Sequence, residues 1–244
     1  MKTFLFCTSY LDEKSEYNNK KRLVRWIDFY TTRNTGFGSE SLVLIDDCSL
    51  AIDIDGVSVY NTGDLPERLI NQVNLFRFDS HLGRPSQRDY RGWWRSFLYS
   101  VVIAEKYNFD KIIHVESDFF ITSSRMTRFI CEIKQGWTTF YSKFHSFPES
   151  GIQVICKDSF KDLKKCLIEI EKKGFVVNEV AEFYFPYTNV EKSFLGDRLG
   201  QFDVFDGWLE TVRTPLFIDY IGQVLPSFSA NEYEEFFTFE YKWA

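Results

Sequence analysis

An α/β fold, with a mostly parallel central sheet flanked by helices, is what this sequence predicts, and three observations predict it. Short apolar runs alternate with amphipathic helical stretches through the first half of the chain. Two of those runs stop abruptly at acidic residues, Asp46-Asp47 and Glu116-Ser117-Asp118. No internal repeat and no Pro/Gly/Ser-rich linker divides the 244 residues, so one domain spanning 1–244 is expected, with halves at 1–125 and 126–244.

Thr3 to Cys7 reads as a buried strand opening into a polar loop, Thr8 to Asn19, that begins Thr8-Ser9-Tyr10. Leu23, Val24, Trp26, Ile27 and Tyr30 recur at helical spacing across Lys20 to Tyr30. Ser41 to Ser49 is a second apolar strand capped by Asp46 and Asp47. Strand, helix and strand in that order imply parallel pairing through a right-handed crossover. Residues 50–80 alternate apolar and polar positions between Gly and Asn breaks, which predicts short strands and turns.

Gln87 to Tyr107 carries the clearest helical stripe, from Tyr90 through Trp93, Trp94, Phe97, Leu98 and Val101 to Ala104, with Arg88, Arg91 and Arg95 on its other side. It feeds a strand over Lys111 to Val115 that ends in Glu-Ser-Asp. A helix over Arg125 to Lys134, strands over Thr138 to Phe144 and Gly151 to Cys156, and a helix over Lys157 to Lys173 stopped by Gly174 complete the regular part. Phe175 to Ala244 is aromatic-rich and irregular, with a helix expected only near Asn178 to Tyr184.

Composition excludes several classes. Hydrophobic residues make up 44% and aromatics 18%, with 26 Phe, enough for a large core and for ring walls that stack on flat ligands. A net charge of -6 argues against a nucleic-acid binder, whose affinity rests on a Lys/Arg surplus. Five scattered cysteines without a Cys-x-x-Cys pair indicate neither a zinc site nor a disulfide framework, so reduced thiols and a cytoplasmic location are expected. No run reaches the roughly 20 apolar residues of a membrane span, and the N-terminal apolar run is too short for a signal peptide.

The acidic strand ends carry the chemistry. Glu116 and Asp118 stand two apart past a strand, where two hard oxygen ligands can share a Mg²⁺ or Mn²⁺ completed by diphosphate oxygens; the plain alternative is a pair of solvated loop carboxylates or a helix cap. Asp46 and Asp47 can accept from a ribose hydroxyl or a base imide, or simply make a turn. Arg84, Arg88, Arg91 and Arg95 gather at a helix start, where guanidinium forks and free N–H groups suit phosphate, although a solvated helix face is the plain fate of any one.

The order of these parts resembles the nucleotide-binding half of GT-A-fold glycosyltransferases: Thr8-Ser9 after the first strand, Leu-Ile-Asp-Asp-Cys-Ser after the second, an Arg-bearing helix, then Ile-Ile-His-Val-Glu-Ser-Asp. The resemblance covers residues 1–125 and implies a single Rossmann-like domain with its acceptor side over 126–244. It implies a nucleoside-diphosphate sugar donor such as a UDP-sugar, a glycan or other hydroxyl acceptor, a place in polysaccharide or glycan biosynthesis, and a Mn²⁺ or Mg²⁺ cofactor at Glu116 and Asp118. Thr8, Ser9, Asp46, Asp47, Arg84, Arg88 and Arg95 would hold the nucleotide. Glu116 departs from the family's Asp-x-Asp, a longer arm that either shifts the metal or leaves Asp118 as its main ligand.

For an inverting displacement the general base is expected at Asp197, in Gly-Asp-Arg, with Glu182 and Glu149 as alternatives and a structural ion pair as the plain role of each. A sugar nucleotidyltransferase is a second reading, against which Thr8 to Asn19 has no Gly for a phosphate loop. A non-catalytic carbohydrate- or protein-binding module is a third.

Overall fold

The computed structural model describes residues 1–11, 16–32, 37–49, 53–86, 88–143, 145–198 and 219–223. Its centre is an eight-stranded sheet of β1 (Thr3–Ser9), β2 (Ser41–Asp46), β3 (Val57–Asn61), β4 (Val73–Arg77), β5 (Lys111–Val115), β7 (Trp137–Ser142), β8 (Phe147–Cys156) and β9 (Asn189–Glu191). The spatial order is β3-β4-β2-β1-β5-β8-β7-β9. The pairs from β3 to β5 are all parallel, β8 runs antiparallel to both β5 and β7, and β9 is parallel to β7. The expected mostly parallel sheet flanked by helices is what forms.

Both faces of the sheet are covered, which is why the strands read as continuous apolar runs. Leu5 and Cys7 of β1, Leu42 and Leu44 of β2, and Ile113 and Val115 of β5 turn to one face and pack with Leu23, Trp26, Phe29 and Tyr30 of α1 (Glu16–Thr32) and Met126 and Ile130 of α3 (Ser124–Glu132). Phe4, Phe6, Val43, Ile45 and Ile112 turn the other way, to Trp94, Phe97, Leu98 and Val101 of α2 (Arg91–Lys106) and Phe160, Leu163 and Ile170 of α4 (Phe160–Glu171).

Placing α1 and α2 on opposite faces fixes the topology. Right-handed crossovers carry the chain outward from β1 to β2 on one face, and back across β1 to β5 on the other. Strand order therefore reverses between β1 and β5, and the crevice beyond their carboxyl ends is where open α/β sheets bind ligands.

Several boundaries differ from the sequence expectation. The α2 helix starts at Arg91; Gly83 adopts φ 64° and its carbonyl accepts from the Gly92 N–H at 2.9 Å, which keeps residues 84–86 and 88–90 outside the helix. Gln87, the helix start that the sequence predicts, lies outside the described residues. Strand β8 begins at Phe147, absorbing the residues expected to separate two strands, and a bulge between Thr139 and Phe140 takes up the register. The β7–β8 hairpin consequently projects past the carboxyl edge of β5, since Val115 pairs with Ile152 while β8 extends five residues further back.

A second sheet joins β6 (Phe120–Ile121) to β10 (Gly196–Arg198) and β11 (Tyr220–Gly222), the last two lying in the stretch expected to be irregular. Buried Asp219 ties it down: its carboxylate accepts from Ser123 Oγ at 2.6 Å, Arg125 Nη2 at 2.5 Å and the Leu195 N–H at 2.8 Å. The helix near Asn178 to Tyr184 is the single turn α5 (Ala181–Tyr184). None of the five cysteines is joined in a disulfide. Among the described residues no helix is long and apolar enough to cross a membrane.

One buried cation belongs to the scaffold. Lys111 faces Cys156 across the β5–β8 ladder, and its ammonium, held below its ordinary range by burial, donates to the carbonyls of Ile130 and Cys131 at 3.0 Å each. It thereby caps the negative end of α3. Lys111→Ala is expected to lower unfolding stability by about 2–4 kcal/mol, since it opens a cavity and strips the cap. Urea denaturation checks this, and an unchanged midpoint would rule out the capping role.

Candidate functional site

The carboxyl ends of β1, β2 and β5 open into a cleft of 960 Å³. Thr8, Ser9, Asp47, Arg84, Arg88, Glu116, Asp118 and Glu182, all singled out in the sequence, line it, together with Tyr10, Arg22, His81, Trp93, Ser150 and Gly151. Asp46, Arg95 and Glu149 do not reach its wall.

Asp47 organises one side. Its carboxylate accepts from the Gly83 N–H at 2.7 Å and the Leu82 N–H at 3.2 Å, lies 3.0 Å from His81 Nδ1, and takes a short charge-assisted bond from Arg95 Nη2. Arg95 in turn donates to the Ser80 carbonyl and lies 3.9 Å over the Phe78 ring. Its guanidinium is thus spent inside the protein, buried behind the cleft, rather than on the wall where a phosphate would sit. Gly92 is required beside this knot, because a Cβ there would collide with the Asp47 carboxylate. His81, pinned by Asp47, stacks on Tyr10 with centroids 4.0 Å apart and planes 20° from parallel.

Asp46 has a different task. Fully buried, it accepts from Ser9 Oγ at 2.9 Å, the Ser49 N–H at 2.7 Å and Ser49 Oγ at 2.6 Å, and Ser49 Oγ accepts from the Leu11 N–H at 2.7 Å. Burial raises its pKa against the pull of these donors. This is turn chemistry that locks the ends of β1 and β2 together, and it leaves Asp47 as the acid that faces the cleft.

Glu116 and Asp118 do not act as a strand pair. The Phe119 N–H donates to the Glu116 carbonyl at 2.8 Å, so residues 116–119 form a tight turn whose corners are Ser117 and Asp118. The Glu116 side chain turns inward: Thr8 Oγ1 donates to its Oε2 at 2.9 Å, Trp93 Nε1 makes a short bond to Oε1, and His114 Nε2 lies 3.1 Å from Oε1. Burial opposes its ionisation, yet His114, Trp93 and Thr8 together hold the carboxyl below its ordinary range. His114 is itself boxed by Phe6 and Phe97 at 4.7 and 4.8 Å.

This geometry bears on a metal. No group of three or more His, Cys, Asp or Glu side chains able to hold an ion is found among the described residues. A cation already chelated by a diphosphate needs only one or two protein carboxylates; of the two acids here, Asp118 lines the cleft from the turn corner, and Glu116 Oε2 accepts from Thr8 Oγ1. Glu116 Oε1 is taken up by Trp93 and His114.

On the basic side, Arg84 lies 4.2 Å over Tyr90 and donates to its hydroxyl at 2.8 Å, while Arg88 stands exposed on the cleft wall. Arg22 of α1 adds a guanidinium that the sequence reading missed, because its helix lay apart from the other candidates. Glu182 of α5, which also lines the cleft, accepts from Ser150 Oγ at 2.7 Å. Glu149 is fully buried with Oε1 accepting from the Gly151 N–H at 3.0 Å, a shaping role for the bulged strand. The backbone of Asp197 pairs with Ile221 in the small sheet; its side chain lies outside the described residues.

No protein-family model matches this sequence, and no curated protein matches it. Among solved structures, the chain is similar to a glycosyltransferase involved in the glycosylation of the major capsid of PBCV-1, at 13% identity and a TM-score of 0.47, over 98% of this chain and 100% of that one. It is also similar to the glycosyltransferase GlyE of Streptococcus pneumoniae TIGR4, at 12% identity and a TM-score of 0.42, over 95% of this chain and 55% of that one.

Asp47→Ala is expected to cost about 3–5 kcal/mol in urea unfolding, because it strands the buried Arg95 charge and two loop amides; a cost below about 1 kcal/mol would refute the organising role. Glu116 sets an acid limit. With its native pKa depressed, its contribution is present above its ordinary value of 4.5 and lost as pH falls through the lower native value. Glu116→Gln should therefore flatten the decline of melting temperature with falling pH below that point, and an unaltered acid limb counts against the assignment.

Proposed function

We propose that this protein is a glycosyltransferase that moves a sugar from a nucleoside-diphosphate sugar to a hydroxyl of a glycan, in polysaccharide or glycan biosynthesis. The observation that carries the reading is the cleft at the strand-order reversal, whose lining brings together Asp118, Arg84, Arg88 and Glu182. Such a site has groups for a departing diphosphate and a separate carboxylate for an incoming hydroxyl.

Tyr10, stacked on His81 and backed by Asp47, offers a flat surface with polar edges for a base or ribose. Arg84, Arg88 and Arg22 line the wall where they neutralise diphosphate charge that grows as the glycosidic bond to phosphate breaks. Asp118, supported by Glu116, would hold a Mn²⁺ or Mg²⁺ ion, which when bound supplies further charge neutralisation on the diphosphate. Glu182, oriented by Ser150, takes the proton of the acceptor hydroxyl as that oxygen bonds to the anomeric carbon; the electron pair of the broken bond leaves with the nucleoside diphosphate. Attack opposite the leaving group inverts the anomeric centre.

A thermal-shift screen against UDP-, GDP-, TDP- and CMP-sugars, followed by turnover with the sugar that binds, tests this. Glu182→Gln should lower kcat by roughly 10²–10⁴-fold with donor affinity kept, and Asp118→Ala should weaken donor binding in the presence of Mn²⁺. The reading fails if no nucleotide sugar raises the melting temperature, and the base assignment fails if Glu182→Gln turns over normally.

A further inference from the structure

Resting on that reading of the cleft, we propose that Phe183 and Phe147, next to the cleft-lining Glu182 and Ser150, form an acceptor subsite that stacks on a pyranose ring, so that the acceptor hydroxyl belongs to a sugar. Phe183 is 60% exposed, unusual for a ring of that size, and follows Glu182 directly in α5. Val180, 47% exposed, lines the cleft from the same segment. The Phe147 ring, at the start of β8, lies 6.3 Å from Phe183 at 68°, and His145 lies 5.1 Å from Phe147.

The exposed ring is held in place rather than loose. Tyr184 and Phe185, which follow it, pack on Trp94 at 5.3 and 5.2 Å, and Phe185 also meets Trp137 at 4.9 Å. Anchoring one side of α5 in the core leaves Phe183 turned outward, a surface whose ordering has already been met in folding. Strand β8 thus supplies a hydroxyl at 150 that lines the cleft and a ring at 147, and α5 supplies a lining carboxylate at 182 and a ring at 183, the two rings touching each other as the hydroxyl and carboxylate do.

That alternation of flat apolar surface and polar acceptor fits a pyranose, which presents a face of C–H groups rimmed by hydroxyls. A lipid chain would need an enclosed apolar channel, whereas Glu179, Glu182 and Ser150 share this wall. Those acids also disfavour an anionic membrane surface.

The test uses the full chain on an array of gluco-, galacto- and manno-configured oligosaccharides, with nucleotide-sugar binding measured in parallel by calorimetry. Wild type should retain at least one oligosaccharide class; Phe183→Ser should weaken it by about tenfold or more and Phe183→Tyr by no more than about twofold, with nucleotide-sugar affinity unchanged. Oligosaccharide binding of Phe183→Ser equal to wild type overturns the subsite, as does glycosylation of peptide or lipid-vesicle acceptors alone. Phe183-dependent oligosaccharide binding without any nucleotide-sugar binding supports the subsite and overturns the transferase reading instead.

Discussion

A buried carboxylate at the end of β2 is what one wall of the cleft depends on. Asp47 gathers at one point two amides and a histidine from the loop segment 81–83 and the Arg95 guanidinium from α2, so strand end, loop and helix meet on one carboxylate. Without it the segment between β4 and α2 has no reason to fold back over the sheet edge, because its own backbone hydrogen bonds are few. With it, the Tyr10–His81 stack, the start of α2 and the loop carrying Arg84 and Arg88 are all set relative to the strands. The arrangement is costly to break from either partner, as buried ion pairs are, and it makes the cleft wall rigid before any ligand arrives.

The same economy appears at Glu116. A carboxylate that sits at the strand-order reversal could be left open to solvent, but here it joins β1 through Thr8, α2 through Trp93 and β5 through His114. The three elements that bound the crevice therefore share one anion, and the turn that follows presents Asp118 from a fixed base. Polar interactions in this protein are concentrated where the sheet ends, while the two faces behind are apolar and aromatic. That division follows from burial on both sides of the strands, which leaves only their ends for polar chemistry.

The regular half was legible because its signals are local. The unbroken apolar runs Phe4–Cys7 and Leu42–Ile45, and the helical stripe from Trp93 to Ala104, are each readable within a dozen residues, and they fix layers and crossovers. The acidic strand ends were legible as a place. What each acid does there was not, since adjacent Asp46 and Asp47 differ only in which distant groups they meet: Ser9 for one, residues 82, 83 and 95 for the other. Arg95 and Arg88, seven positions apart on one stripe, likewise part company because only the first lies beneath the folded loop. The small sheet escaped notice for the same reason: the Asp219–Arg125 pair joins residues 94 apart in sequence, and no local pattern announces it.

The antiparallel entry of β8 beside β5 has a consequence for how such a protein changes over time. Parallel strands deliver their outgoing loops to the carboxyl edge, and those loops are interlocked through Asp47, Asp46 and Glu116, so length changes there disturb several elements together. The chain arrives at the same edge along β7 and leaves it along β8, which is tied to the cleft through the Glu116–Gly151 backbone bond. The β7–β8 connection is a place where insertions can accumulate without pulling on those interlocked loops. One wall of the cleft is then free to diversify while the other stays constant, a direct outcome of strand direction.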